Sequence, residues 1–161
     1  MAKILILYYS RTGNTEEMIE YVEKGIKKEG VDVEIKKVQD VSPEVMLDYD
    51  GIIIGSPTYY GTMAAEVKQL IDESVKFHGD LAGKPGGAFT SAANLGGGNE
   101  TTIIDILKAM LIHGMVIQGD PKGDHYGPVA IGRPDERAKG ECTRFGENMA
   151  KLVKRLKQGT A

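Results

Sequence analysis

Short apolar runs alternate with longer stretches whose apolar residues recur at helical spacing, and this alternation restricts what the chain can fold into. Residues 4–8 are a continuous apolar run of strand length, as expected of a central parallel strand buried on both faces. From 15 to 29 the apolar residues fall at Met18, Ile19, Val22 and Ile26, one face of a helix. Gly30 stands where a helix stop is expected. Residues 31–38 alternate as a strand, a short turn or helix surrounds Pro43, and 51–54 form another buried strand. Met63, Val67, Leu70, Ile71 and Val75 mark the next helix, and 87–91 the fourth strand. Ile103, Ile104, Leu107, Met110 and Leu111 mark a further helix with Asn99 at the N-cap position. Residues 115–118 are the fifth strand. Pro134 opens the last helix at its first position, followed by a stripe of Ala138, Cys142, Phe145, Met149, Leu152, Val153 and Leu156.

Five strands alternating with helices predict an α/β fold: a doubly wound parallel sheet with helices on both faces. At 161 residues the chain suits a single domain with one core. In such sheets ligands bind beyond the carboxyl ends of the strands, near the switch in strand order. The chemistry is therefore expected in the loops 10–15, 56–62, 92–98 and 119–127.

Charge and cysteine content exclude several classes. Twenty basic and 23 acidic residues leave a net charge of −3, too mild to point to nucleic acid or an anionic membrane. No apolar run approaches the ~20 residues of a membrane span. Met1 leads straight into a strand-like run without a signal-peptide pattern. A single cysteine, Cys142, allows neither an internal disulfide nor a thiolate-held iron–sulfur cluster. No metal is expected, and the expected location is the cytoplasm.

The loop after the first strand reads Tyr8-Tyr9-Ser10-Arg11-Thr12-Gly13-Asn14-Thr15 and runs directly into a helix. Three hydroxyls, an amide and a glycine at a helix N-terminus suit a phosphate, because unpaired N–H groups and the helix dipole favour an anion. The plainer alternative is a turn capped by Ser10 or Thr12. The nucleoside-triphosphate pattern Gly-x-x-x-x-Gly-Lys-Ser/Thr is absent, and so is Gly-x-Gly-x-x-Gly at this junction. A phospho-acceptor domain would place carboxylates at the strand ends, where Tyr9-Ser10 and Gly55-Ser56 stand instead.

After the third strand come Ser56-Pro57-Thr58-Tyr59-Tyr60-Gly61-Thr62. Aromatic rings beside Pro and Gly suit a planar ligand, or else simply cover the sheet end. After the fourth come Ser91-Ala92-Ala93-Asn94-Leu95-Gly96-Gly97-Gly98. The glycines let the backbone approach a ligand closely and present N–H groups, or else make a flexible loop.

The run Ile-Leu-Tyr-Tyr-Ser-Arg-Thr-Gly-Asn-Thr resembles the FMN-phosphate loop of the flavodoxins, with Ile19 where many carry alanine. Gly55-Ser-Pro-Thr-Tyr-Tyr-Gly-Thr-Met is similar to Gly-Thr-Pro-Thr-Arg-Phe-Gly-Asn-Met of the WrbA-type NAD(P)H:quinone oxidoreductases, with Tyr59 in place of the arginine and Tyr60 in place of the phenylalanine. The third loop resembles the segment of that family ending in Gly-Gly-Gly-Gln-Glu, about one residue longer here. The resemblance implies a flavodoxin-like fold with strand order 2-1-3-4-5 and FMN as cofactor. It implies binding by Ser10, Arg11, Thr12, Gly13, Asn14 and Thr15, by Pro57, Thr58, Tyr59, Tyr60, Gly61 and Thr62, and by Ser91, Ala92, Ala93, Asn94, Gly96, Gly97 and Gly98. Tyr126, in His125-Tyr-Gly, is expected near the cofactor on the same ground.

His113-Gly-Met-Val-Ile resembles a family pattern whose histidine lies near flavin and quinone. His113 is thus the candidate catalytic residue, a proton or hydrogen-bond donor to a quinone. The alternative is a histidine favoured at a helix C-terminus by the dipole. His78 and His125 read as surface or interface residues, and Cys142 as a buried structural thiol. The family's longer segments, which help build a tetramer, are short here at 38–50 and 119–126.

The resemblance implies quinone reduction by NADH or NADPH through FMN, in a homodimer or homotetramer. The alternative is a flavodoxin-type carrier between redox partner proteins, which the short segments favour.

Overall fold

The computed structural model describes residues 1–159. Strands β1 (Lys3–Tyr8), β2 (Asp32–Lys37), β3 (Gly51–Pro57) and β4 (Pro85–Ala92) pair in parallel with β5 (Val116–Ile117) in the order β2-β1-β3-β4-β5. The crossovers are α1 (Asn14–Lys28), α2 (Ala65–Glu73) and α3 (Asn99–Ile112), and α4 (Glu136–Gln158) closes the chain. This is the flavodoxin-like order. The switch lies at β1, where the chain turns back from β2 to add β3 on the other side.

Side chains alternate across the strands, so each continuous apolar run feeds two cores. Leu5, Leu7, Ile52 and Ile54 face α2 and α3 and meet Leu70, Phe77, Ile103 and Ile106. Ile4, Ile6, Ile53 and Phe89 face α1 and α4 and meet Met18, Val22, Cys142 and Met149. Burial on both faces explains why these strands read as unbroken apolar runs. The buried Cys142 thiol is pushed up to about 12, chiefly by desolvation, and is structural as expected.

The fifth strand differs from the single run expected at 115–118. β5 pairs only with Pro85 and Gly86. A sixth segment, β6 (Val129–Ile131), pairs with Thr90, Ser91 and Ala92 along the same margin of β4. The chain leaves the sheet between them for 118–128, where Gly119, Pro121, Gly123 and Pro128 disfavour a strand. Only an edge position tolerates such a break. Ion pairs tie the excursion to α4: Arg144 to Asp120 at 2.7 Å and Arg137 to Asp124 at 2.9 Å.

Other boundaries move for local reasons. Gly98, with φ 99°, is the N-cap of α3, and the Asn99 amide is spent on the preceding loop. It accepts from the Gly96 N–H at 3.1 Å and donates to the Asn94 carbonyl at 3.2 Å. Asp135 caps α4 by accepting from the Ala138 N–H at 2.8 Å, so Pro134 precedes the cap. Val75 falls beyond α2 in a 3-10 turn (Ser74–Phe77) and is exposed. Gly30 does end α1, with φ 70° and its N–H donated to Lys27 O at 3.0 Å. Among the described residues no helix is long and apolar enough to cross a membrane.

Candidate functional site

Three of the expected loops converge at the carboxyl ends of β1, β3 and β4 around an open cavity of about 260 Å³. The first loop supplies Ser10, Arg11, Thr12, Asn14 and Thr15 to its wall, and the second Pro57, Thr58 and Tyr59. The third supplies Ser91, Ala92 and Ala93.

Parallel pairing brings these loops together. Tyr8 lies opposite Gly55, and Pro57 opposite Ser91, so the strands end at one level. Hydroxyls then knit the floor. Thr15 Oγ1 and Ser91 Oγ lie 2.8 Å apart in a buried contact. Thr90 Oγ1 donates to Ser56 O at 2.7 Å, so its 2.8 Å contact with Thr58 is one in which Thr58 donates. Thr58 N–H also donates to Ser91 O at 2.8 Å.

In the first loop Ser10 Oγ accepts from the N–H of Gly13 at 3.1 Å and, more loosely, from that of Glu16 at 3.4 Å. The capping alternative is thus realised by Ser10 across the loop, while the N-cap itself, Gly13, has φ 98° and no side-chain cap. The N-terminus of α1 faces the cavity with small polar groups and carries acidic residues in its first turn. Glu16 accepts from the Tyr8 hydroxyl, and Glu17 is paired with Arg133 at 2.9 Å. Arg133 offsets the charge of Glu17, and Lys37, 4.0 Å from Glu16, that of Glu16, which would otherwise oppose an anion. Burial and Glu16 together hold the Tyr8 phenol protonated far above its ordinary range.

The second loop is a tight reversal. Tyr59 N–H donates to Thr62 O at 2.9 Å and Thr62 N–H to Tyr59 O at 3.1 Å. Tyr60 (φ 50°) and Gly61 (φ 78°) lie between, the signs of a type I′ turn. Tyr60 is the one non-glycine residue at positive φ among the described residues, and its ring is fully exposed. The Arg11 guanidinium stands 5.6 Å over the Tyr59 ring, a cation–π contact linking the first and second loops. Leu95, at the tip of the third loop, is also exposed.

Gly61, Thr62, Asn94, Gly96, Gly97 and Gly98 are not part of this cavity wall. Gly98 packs on Gly61 so closely that a Cβ on it would lie 2.4 Å from the Gly61 Cα. Gly61 and Gly98 thus serve loop-to-loop packing, whereas Gly96 has nothing within 4 Å and Gly97 meets only Asn94 of its own loop.

Two expected residues are elsewhere. Tyr126 belongs to the excursion beside α4, over a space of only about 20 Å³, because the fifth strand is interrupted before it. Gly132, just after β6, reaches the cavity instead, anchored by donation of its N–H to Ala92 O at 2.7 Å. The signal for it in the sequence is a short apolar run, Val129-Ala-Ile, followed directly by a glycine.

His113 follows α3, which runs back to the end of the sheet where the strands begin. Its Nε2 is 2.7 Å from Ser74 Oγ, and its ring stacks on Phe77 at 6.0 Å. Since Ser74 Oγ donates to Ile71 O at 2.6 Å, His113 is the donor to Ser74, and its buried Nδ1 has no partner. Burial and nearby His78 lower its pKa. Within the chain His113 thus packs on Ser74 and Phe77 and lines no part of the cavity. His78 and His125 are exposed, as expected of surface residues.

The flavodoxin domain family matches residues 5–108, a stretch that contains the three site loops and the larger part of α3. The chain belongs to the flavodoxin family. Flavodoxin of Clostridium saccharobutylicum is 36% identical over 161 residues, covering 96% of this chain and 99% of that one. NAD(P)H dehydrogenase (quinone) of Sinorhizobium fredii is 41% identical over 143 residues, covering 75% and 72%. Among solved structures, a flavodoxin from the domain Archaea superposes with a TM-score of 0.79 at 30% identity, covering 94% and 99%. This flavodoxin-family chain is accordingly an FMN redox flavoprotein, and its residues fit that cofactor. A hydroxyl-lined cavity meets a helix N-terminus at one side and the Tyr59 ring in its wall, with exposed Tyr60 next along the loop.

Proposed function

We propose that this protein uses FMN, held by the three loops, to pass electrons from NADH or NADPH to quinones. The observation that carries the reading is the convergence of Ser10, Thr12, Asn14 and Thr15 with Thr58, Tyr59 and Ser91 on one cavity. Ser10, Thr12, Asn14, Thr15 and the α1 N-terminus would hold the phosphate. Tyr59 and Tyr60 would flank the ring, and Ser91, Ala92 and Ala93 would line its edge. Bound FMN supplies two-electron exchange with nicotinamide and quinone, while the protein binds and orients it. The rim is open and carries Arg11 beside Tyr59, which leaves room for a second flat molecule. Quinone dehydrogenases among the relatives support this reading. No role in it falls to His113.

A second reading, an electron carrier between proteins, is favoured by the end-to-end correspondence with flavodoxins. Anaerobic mixing of the FMN-loaded protein with NADH and then NADPH separates the two. Rapid bleaching of the flavin, reversed by benzoquinone, is expected. Flavin that binds but stays oxidised with both nucleotides selects the carrier. Assembly as a homodimer or homotetramer is part of the proposal, read by light scattering.

A further inference from the structure

The turn that presents Tyr60 is closed by its own pair of backbone hydrogen bonds between Tyr59 and Thr62, yet it carries a strained residue at its tip. A tyrosine at φ 50° is in the left-handed region that side chains disfavour, and its fully exposed ring makes no packing that would compensate. Further support comes from α3. Thr101 Oγ1 donates to Gly61 O at 2.6 Å, with the Gly98 carbonyl 3.0 Å away. One turn further along the same face, Asp105 meets the second loop again: Lys108, and then the Thr62 hydroxyl, lower its pKa. Gly98, Thr101 and Asp105 are spaced three and four apart, so they form one stripe on the helix. The absence of a side chain at Gly98 lets that stripe press on Gly61.

From this contact we infer that Thr101 is a positioning residue, which holds the Tyr59–Thr62 turn in its disfavoured conformation through the Gly61 carbonyl and so aims Tyr60 at the flavin ring. The inference rests on the FMN reading of the cavity and adds to it a helix residue that lines no part of the cavity wall. Its side chain needs one donor hydrogen and nothing else, so valine abolishes it at equal size and serine restores it.

The test combines Thr101→Val, Thr101→Ser and Tyr60→Ala. In the apoprotein, Thr101→Val is expected to speed amide exchange at Tyr59 and Thr62, and Thr101→Ser to return it to the parent rate. With ligand, Thr101→Val is expected to weaken riboflavin, the ring without its phosphate, by about five- to tenfold, with inorganic phosphate binding unchanged. In a Tyr60→Ala background the same substitution should change riboflavin affinity no further, because Thr101 acts through that ring. Additive losses, or parent-like exchange and affinity in Thr101→Val, overturn the inference. A parent protein that binds no flavin overturns the FMN reading and with it the aiming of Tyr60, while exchange in the apoprotein still decides whether Thr101 holds the turn.

Discussion

Gly13 shows how a single residue ties backbone conformation to ligand binding. Its φ of 98° is disfavoured for side chains, although a Cβ there would meet nothing within 4 Å. Substitution therefore acts through the backbone, at about 1–2 kcal/mol, and through the phosphate loop it shapes. Gly13→Val is expected to weaken FMN at least about tenfold, read by quenching of flavin fluorescence. At the far end of the sheet, His113 makes a different prediction. Its folded pKa is lowered, by burial first, whereas the unfolded imidazole titrates near about 6.5. Above that pH both states are neutral and the group adds no pH dependence. Below it the unfolded chain takes up the proton first, so stability falls as pH drops toward the folded pKa. Urea titrations from pH 7 down to pH 5 should show this loss in the parent and a shallower one in His113→Gln. Equal slopes would remove His113 as the source.

At the scale of elements, the packing of α1 on α4 depends on two glycines. A Cβ on Gly25 would lie 2.0 Å from Thr143 O, and one on Gly146 would lie 2.1 Å from Val22 O. Both obstacles are backbone, so the helices must separate rather than a side chain yield. Gly25→Ala or Gly146→Ala is expected to cost about 3 kcal/mol. Gly140, on the open face of α4, has nothing within 4 Å. Gly140→Ala should stabilise by about 0.5–1 kcal/mol through helix propensity alone. Thermal melting of the three variants distinguishes a packing effect from a propensity effect, since propensity alone would stabilise all three.

For the whole molecule, the cavity wall draws on loops after β1, β3, β4 and β6. Ligand binding is therefore coupled to global folding, because no unfolded segment presents these groups together. FMN at a hundred times its dissociation constant is expected to add about 2.7 kcal/mol to stability, a rise in melting temperature of roughly 5–10 °C for a chain of this size. A melting temperature indifferent to FMN would argue against the cavity as its site. The excursion 118–128, braced by Asp120, Asp124, Arg137 and Arg144, lets β6 resume beside the end of β4 and deliver Gly132 to the site.

The sequence by itself determined the parallel α/β class, the central strands and the three loops that line the cavity. Local periodicity and glycine placement encode these, as in residues 4–8 and the helix stop at Gly30. Only the tertiary structure decided what depends on contacts between distant segments. Asn99 looked like a cap, but bonds to Asn94 and Gly96 engage it otherwise. The fifth strand is split because edge pairing with β4 is available on both sides of a loop that turn residues force outward. His113 and Tyr126 carried family-like motifs, yet motif spacing does not report which end of a helix or which part of an edge strand borders the cavity of the chain. Thr101 carried no motif, and its role appears only once α3 lies against the Tyr59–Thr62 turn, a contact spanning 40 positions of chain.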